Sequence, residues 1–202
     1  MPIIELEKLR ASIVKTQDLL DLNGIPKYLD DSVCSTTNCY TYALGILYNG
    51  PKNFPLNPGF TEGIPYWGRN TDEFLNGIYT DLKNLNISFR KIELNEDIKL
   101  EKNEYLIKLF FTPANEMHPK GDFHFVRQEP KRGYWFHKEG LEFQPQIIHS
   151  PSYPLILFDP YEPDEISCVA IEDFHYTLEP VIYLAIKEPR KSHRKFKKTA
   201  RH

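Results

Sequence analysis

With 202 residues, 41% of them hydrophobic, the chain is long enough to bury one core and too short for two ordinary ones. Its 13 Phe and 12 Tyr exclude general disorder, and three Cys exclude a disulfide scaffold, pointing to a reducing compartment or to thiols kept for chemistry. A net charge of −3 hides an acidic body with a basic tail: residues 187–202 hold eight of the 25 Lys and Arg but one of the 28 Asp and Glu.

Met1-Pro2-Ile3-Ile4-Glu5-Leu6-Glu7-Lys8 lacks the basic head and apolar core of a signal peptide. No apolar run approaches the roughly 18 residues of a membrane span. A soluble protein is expected, cytoplasmic or secreted without an N-terminal signal, with entry into a host cell as one route. Residues 4–22 predict one amphipathic helix (Ile4, Leu6, Leu9, Ile13, Leu19, Leu20, Leu22), ended by Asn23-Gly24-Ile25-Pro26. Within a single domain over 1–187, residues 1–30 read as an N-terminal helical extension. Residues 188–202 read as a disordered basic tail.

Ser35-Thr36-Thr37-Asn38 then precede Cys39-Tyr40-Thr41-Tyr42-Ala43-Leu44. Side-chain oxygens of such residues cap a helix, so the spacing starts a helix at Cys39 and carries it to about Asn49-Gly50-Pro51. A cysteine in a first turn meets unpaired N–H groups and the positive end of the macrodipole, which favour the nucleophilic thiolate. Cys39, Tyr42, Ala43 and Ile46 would share a face. The Pro- and Gly-rich stretch 51–69 reads as a loop in which Tyr66 and Trp67 either line a cleft or cover core. A second helix follows from Asn70 or Thr71 through Leu85. Strands are predicted at 87–94, 105–112, 123–128, 134–138, 153–158 and 181–187, with a hairpin turn at 130–133. Helices first and an antiparallel sheet afterwards make the class α+β.

A cysteine nucleophile needs a base and something to orient that base. In Asp122-Phe123-His124-Phe125-Val126-Arg127-Gln128, alternation puts His124 with Val126 and Gln128 on one face, and small Val126 suggests docking over Ala43. If the hairpin loop is Pro130 to Gly133, Val126 faces His137 and Gln128 faces Trp135. His137 then lies diagonally from His124, within side-chain reach. Asp159 is the rival orienter, and a carboxylate would hold the imidazolium better. The Cys39 N–H and the Asn38 amide are candidate oxyanion donors, with helix capping as the other role for Asn38. Cys34 reads as a buried or loop thiol, with a regulatory disulfide to Cys39 as the alternative, and Cys168 as a core residue. His118, His149, His175, His193 and His202 show no ligand spacing, so no metal or other cofactor is expected.

Asn38-Cys39-Tyr40-x-Tyr42-Ala43-Leu44, the Asp122–Gln128 stretch and Trp135-x-His137-Lys138-x-Gly140 together resemble a bacterial family of small papain-like proteins. The broader likeness is to NlpC-type and CHAP-type cysteine peptidases and amidases, over roughly residues 35–160. The resemblance implies a papain-like fold and a thiol acyl-transfer enzyme with Cys39 as nucleophile, His124 as base and His137 as third member. Tyr66, Trp67 and Trp135 would line the substrate cleft. Peptidase, amidase, glutamine deamidase and transglutaminase share this machinery. The expected partner is a protein or peptide, with no obligatory nucleic acid, and the chain fits a bacterial effector. The alternative is a non-catalytic adaptor that keeps the fold. A third reading gives the tail a nucleic-acid or membrane surface to bind.

Overall fold

The computed structural model describes residues 6–51, 55–63, 70–92, 98–114, 116, 119, 121–129, 133, 135–147 and 182–189. Helices α1 (Leu6–Ser12), α2 (Thr16–Leu19), α3 (Asp31–Cys34), α4 (Cys39–Ala43) and α5 (Thr71–Asn84) precede the sheet, with a 3-10 turn at Phe60–Glu62. The strands are β1 (Phe89–Ile92), β2 (Glu104–Thr112), β3 (Asp122–Gln128), β4 (Trp135–His137), β5 (Gln146–Ile147) and β6 (Ile182–Lys187). They form one antiparallel sheet in the order β1-β6-β2-β3-β4-β5, so the α+β class holds. Among the described residues no helix is long and apolar enough to cross a membrane.

The sheet has two buried faces. Tyr105, Ile107, Leu109 and Phe111 of β2, with Phe123 and Phe125 of β3, pack under Cys39, Tyr40 and Ala43 of α4 and Phe74, Ile78 and Leu82 of α5. Each of those α5 side chains contributes about 1.5–3 kcal/mol by leaving water. Leu106, Phe110, Val126, Trp135, Tyr183 and Ala185 make a second cluster on the opposite face. Both faces of β2 are covered, which is why all nine of its residues are buried.

Helix boundaries follow local chemistry. Asn38 caps α4 and Asn70 caps α5, each through a reciprocal capping box, with Thr41 and with Glu73. Helix α4 has only five residues, against the longer helix expected. Gly45 at φ +74° ends it: Ile46 N–H donates to the Thr41 carbonyl at 2.8 Å and Gly45 N–H to Tyr42 at 2.9 Å. Asn86, at φ 58°, closes α5 the same way.

The single helix expected over residues 4–22 is also corrected. The chain straightens after α1, where Ile13 bridges Ile46 and Val14 N–H donates to the Gly45 carbonyl at 2.8 Å. Those tertiary bonds outweigh helical propensity at two β-branched residues. Leu22, counted on the apolar face, is fully exposed in the turn whose amides Asp21 accepts. The N-terminal segment is no appendage, because Leu9 belongs to the main core. Nor does the tail begin at 188: Glu188 accepts from Thr16 N–H at 2.6 Å, and its own N–H donates to the Asn103 carbonyl at 2.8 Å. Strand β5 was not foreseen, and the strand expected at 153–158 lies outside the described residues.

Candidate active site

The hairpin has the expected register, with Arg127 opposite Phe136 and Gln128 opposite Trp135. Gly133, at φ +76°, closes the turn by donating to the Glu129 carbonyl at 2.8 Å. This register puts His137 diagonally across from His124. The two rings meet edge to face, with Nε2 of His124 2.9 Å from Nδ1 of His137. Both are buried, His124 at 3% exposure and His137 at 5%. Burial lowers the His124 pKa well below that of a free imidazole, aided by the neighbouring His137, and burial lowers His137 to about 4. Both rings are therefore neutral at pH 7.

Cys39 begins α4, as expected, but its sulfur meets β3 differently. Phe123 and Phe125 face the cysteine helix, while His124 shares the far face with Val126 and with Phe110 of β2. Docking of His124 over Ala43 is thus corrected: the Ala43 carbonyl instead accepts from Nη1 of Arg127 at 3.0 Å. The Cys39 thiol points at the main chain, donating to the Phe123 carbonyl over 3.9 Å and hydrogen-bonding the Phe125 backbone. The thiol touches the backbone on both sides of residue 124, while the His124 ring projects from the opposite face of β3.

The expectation of a ready thiolate does not hold. Burial pushes the Cys39 thiol up to about 12, against the pull of the Phe125 and Tyr40 main chain and of Lys138, while Asp122 adds to the rise. At 6% exposure the sulfur has little water, and a five-residue helix brings only a small dipole. Asn38 is the cap: Oδ1 accepts from Thr41 N–H at 3.0 Å and Nδ2 donates to Oδ1 of Asn57 at 3.0 Å. An amide carries two N–H bonds, so the bond to Asn57 leaves Asn38 one further donor.

Trp135 does not line a cleft. It is 2% exposed in the second core cluster, and its indole N–H has no hydrogen-bond partner among the described residues. Asp159, Tyr66, Trp67 and Cys168 lie outside the described residues.

Three residues around α4 escaped the sequence reading. Asp81 of α5 is fully buried and accepts from Tyr40 Oη at 2.9 Å, Gly59 N–H at 2.6 Å, Thr61 N–H at 2.9 Å and Thr61 Oγ1 at 2.6 Å. Asn57 of the same loop holds Asn38, so one loop is tied to both the cap and the second residue of α4. The signal for Asp81 was a carboxylate on the apolar stripe of Phe74, Ile78 and Leu82. Arg127 is likewise a charge on the Phe123–Phe125 face. Besides Ala43 it bonds Thr16, pairs with Glu188 at 3.8 Å and lies 3.6 Å from the Tyr105 ring centre. Among the described residues no three His, Cys, Asp or Glu side chains gather as a metal would require. The chain matches no protein-family model, no curated protein and no solved structure.

Proposed function

We propose that this protein is a thiol acyl-transfer enzyme of papain-like, NlpC-type fold that acts on an amide of a protein or peptide. One observation carries the reading: two buried, neutral imidazoles joined at 2.9 Å on adjacent strands, beside the backbone that the helix-starting Cys39 thiol touches. A cysteine before the sheet, a base on an inner strand and an orienter on the next strand support the papain-like arrangement.

The roles follow from the ring contacts. With Nε2–H of His124 donating to Nδ1 of His137, the His124 lone pair is on Nδ1, the ring nitrogen nearer the strand backbone. On this reading the His124 ring, which lies on the far face of β3 from α4, and the sulfur have to come onto one face before that nitrogen takes the thiol proton, as the sulfur electron pair bonds the amide carbon and the carbonyl pair moves onto oxygen. The Cys39 N–H and the second Nδ2–H of Asn38 are the donors offered to that oxyanion. As the intermediate collapses, the C–N bond breaks and the His124 imidazolium gives its proton to the leaving amine. Water or a second amine then resolves the thioester. His137 fixes the ring without the ion pair that a carboxylate would add.

The buried Cys39 thiol, raised to about 12, favours a second reading, the non-catalytic adaptor. Iodoacetamide near neutral pH separates them. The enzyme reading expects Cys39 to alkylate faster than Cys34 and Cys168, and His124→Ala to slow it by at least about tenfold. Equal rates for all three thiols, unmoved by His124→Ala, would leave the adaptor.

A further inference from the structure

Residues 55–63 lie outside every helix and strand except the 3-10 turn Phe60–Glu62, and they fold on themselves. Phe60 N–H donates to the Asn57 carbonyl at 3.0 Å, Glu62 N–H to Gly59 at 3.2 Å and Gly63 N–H to Phe60 at 3.1 Å. Among the described residues no backbone–backbone hydrogen bond joins this unit to the rest of the molecule. Its polar ties all run through side chains. Asn57 Oδ1 accepts from Asn38 Nδ2 at 3.0 Å, and Asn84 Nδ2 donates to Thr61 Oγ1 at 3.0 Å. Asp81 takes the others: the Gly59 amide at 2.6 Å, the Thr61 amide at 2.9 Å and the Thr61 hydroxyl at 2.6 Å.

These ties fall on both neighbours of Cys39. Asn38 precedes it. Tyr40 follows it, donates its hydroxyl to the same Asp81 at 2.9 Å and meets the Phe60 ring edge to face, 6.4 Å between ring centres. Leu56 and Phe60 share one core cluster with Cys39, Tyr40 and Ala43. At 6% exposure the sulfur has no room for an amide carbon, so catalysis needs a part to move. Moving the sheet breaks ladders, whereas a unit held by side chains alone can leave by local opening.

We infer that residues 55–63 are a strap latched by Asp81 over the start of α4, and that unlatching it opens Cys39 to substrate. The mention of substrate rests on Cys39 being the nucleophile; the strap does not. The latch needs a carboxylate. Its Oδ2 accepts from the Tyr40 hydroxyl and the Gly59 amide, its Oδ1 from the amide and hydroxyl of Thr61. A hydroxyl can turn and accept instead, but a main-chain N–H cannot. An Asn at position 81 therefore sets its NH2 against the Gly59 or the Thr61 N–H whichever way it is turned.

The test is the iodoacetamide rate of each thiol in the full chain at fixed pH, read by peptide mass. Asp81→Asn should speed Cys39 at least about tenfold and leave Cys34 at its wild-type rate. Cys34 is the control, since it is buried at 4% exposure in a separate cluster with Leu19, Leu29 and Phe136. A Cys39 rate that does not rise overturns the inference. So does a rise that Cys34 shares, which general loosening would give. Should Asp81→Asn not fold, Thr61→Val decides from the strap side, because it removes the hydroxyl that joins Asp81 to Asn84. Cys39 should then react roughly threefold faster with Cys34 unchanged, and an unmoved Cys39 overturns the inference. If Asp81→Asn opens Cys39 while His124→Ala leaves its rate alone, the strap stands and the enzyme reading falls. A slower His124→Ala beside an unmoved Asp81→Asn keeps the enzyme and removes the strap.

Discussion

Strand β3 carries two buried basic side chains three residues apart, on opposite faces. Arg127 is spent on structure. It joins the end of α4 through Ala43, the start of α2 through Thr16 and the end of β6 through Glu188, with Tyr105 stacked beneath it. His124 faces another titratable ring instead, and burial holds both rings neutral. A permanent cation bonded to carbonyl, hydroxyl and carboxylate fixes geometry and has no proton to give at neutral pH. A neutral imidazole bonded to an imidazole can change which nitrogen carries the proton. The same strand thus separates scaffold from proton handling by parity alone.

The sharpest way to break this contrast is Arg127→Met. It leaves the Ala43 carbonyl, Thr16 and Glu188 without their donor, and about 3–4 kcal/mol of stability should go, read as a urea midpoint. If Arg127→Met unfolds no more easily than the wild type, the scaffold half of the contrast is wrong.

Acid titration addresses the other half. A histidine whose folded pKa lies below its unfolded value contributes stability that is intact above about pH 6.5 and lost as pH falls toward the folded value. For His137, lowered to about 4, the loss between pH 6.5 and 4 should amount to about 2–3 kcal/mol. His137→Gln should flatten that part of the stability–pH curve, and an unchanged slope would show that the pair is not buried neutral in solution.

Gly45→Ala should have the smallest effect and sharpen the comparison. A Cβ there would stand 2.6 Å from the Val14 carbonyl oxygen and 3.2 Å from Arg127 Nη1, at φ +74°. About 1–2 kcal/mol of destabilisation is expected, with the acid slope of the histidine pair unchanged. A changed slope would mean that the two ends of β3 are coupled.

The histidine pair was legible because a tight hairpin fixes register locally: once the loop is placed at 130–133, parity and diagonal reach follow by counting. Both helix caps were legible for the same reason, since Asn38 and Asn70 act within one turn. What failed depends on distant contacts. Nothing near residue 13 announces its bridge to Ile46, and nothing near Cys39 announces how deeply it is buried. The early end of α4 was written in Leu44-Gly45 and outweighed by the apolar run that follows it. Arg127 was visible by alternation, because a charge on the face of two buried phenylalanines needs partners, but those partners lie in segments far apart in the chain.

The sheet order carries a kinetic meaning. Ile186 pairs with Phe89 on one side and Tyr105 on the other, so β6 is the seam between β1 and β2. During synthesis Cys39, His124 and His137 emerge well before that seam. A nascent chain halted short of Ile182 would hold all three while β1 and β2 each expose an unsatisfied edge, a form open to chaperone capture or to edge-to-edge aggregation. The hairpin is closed by contacts local in sequence, whereas the sheet that supports it needs β6, which lies about 45 residues further along the chain, from His137 to Ile182.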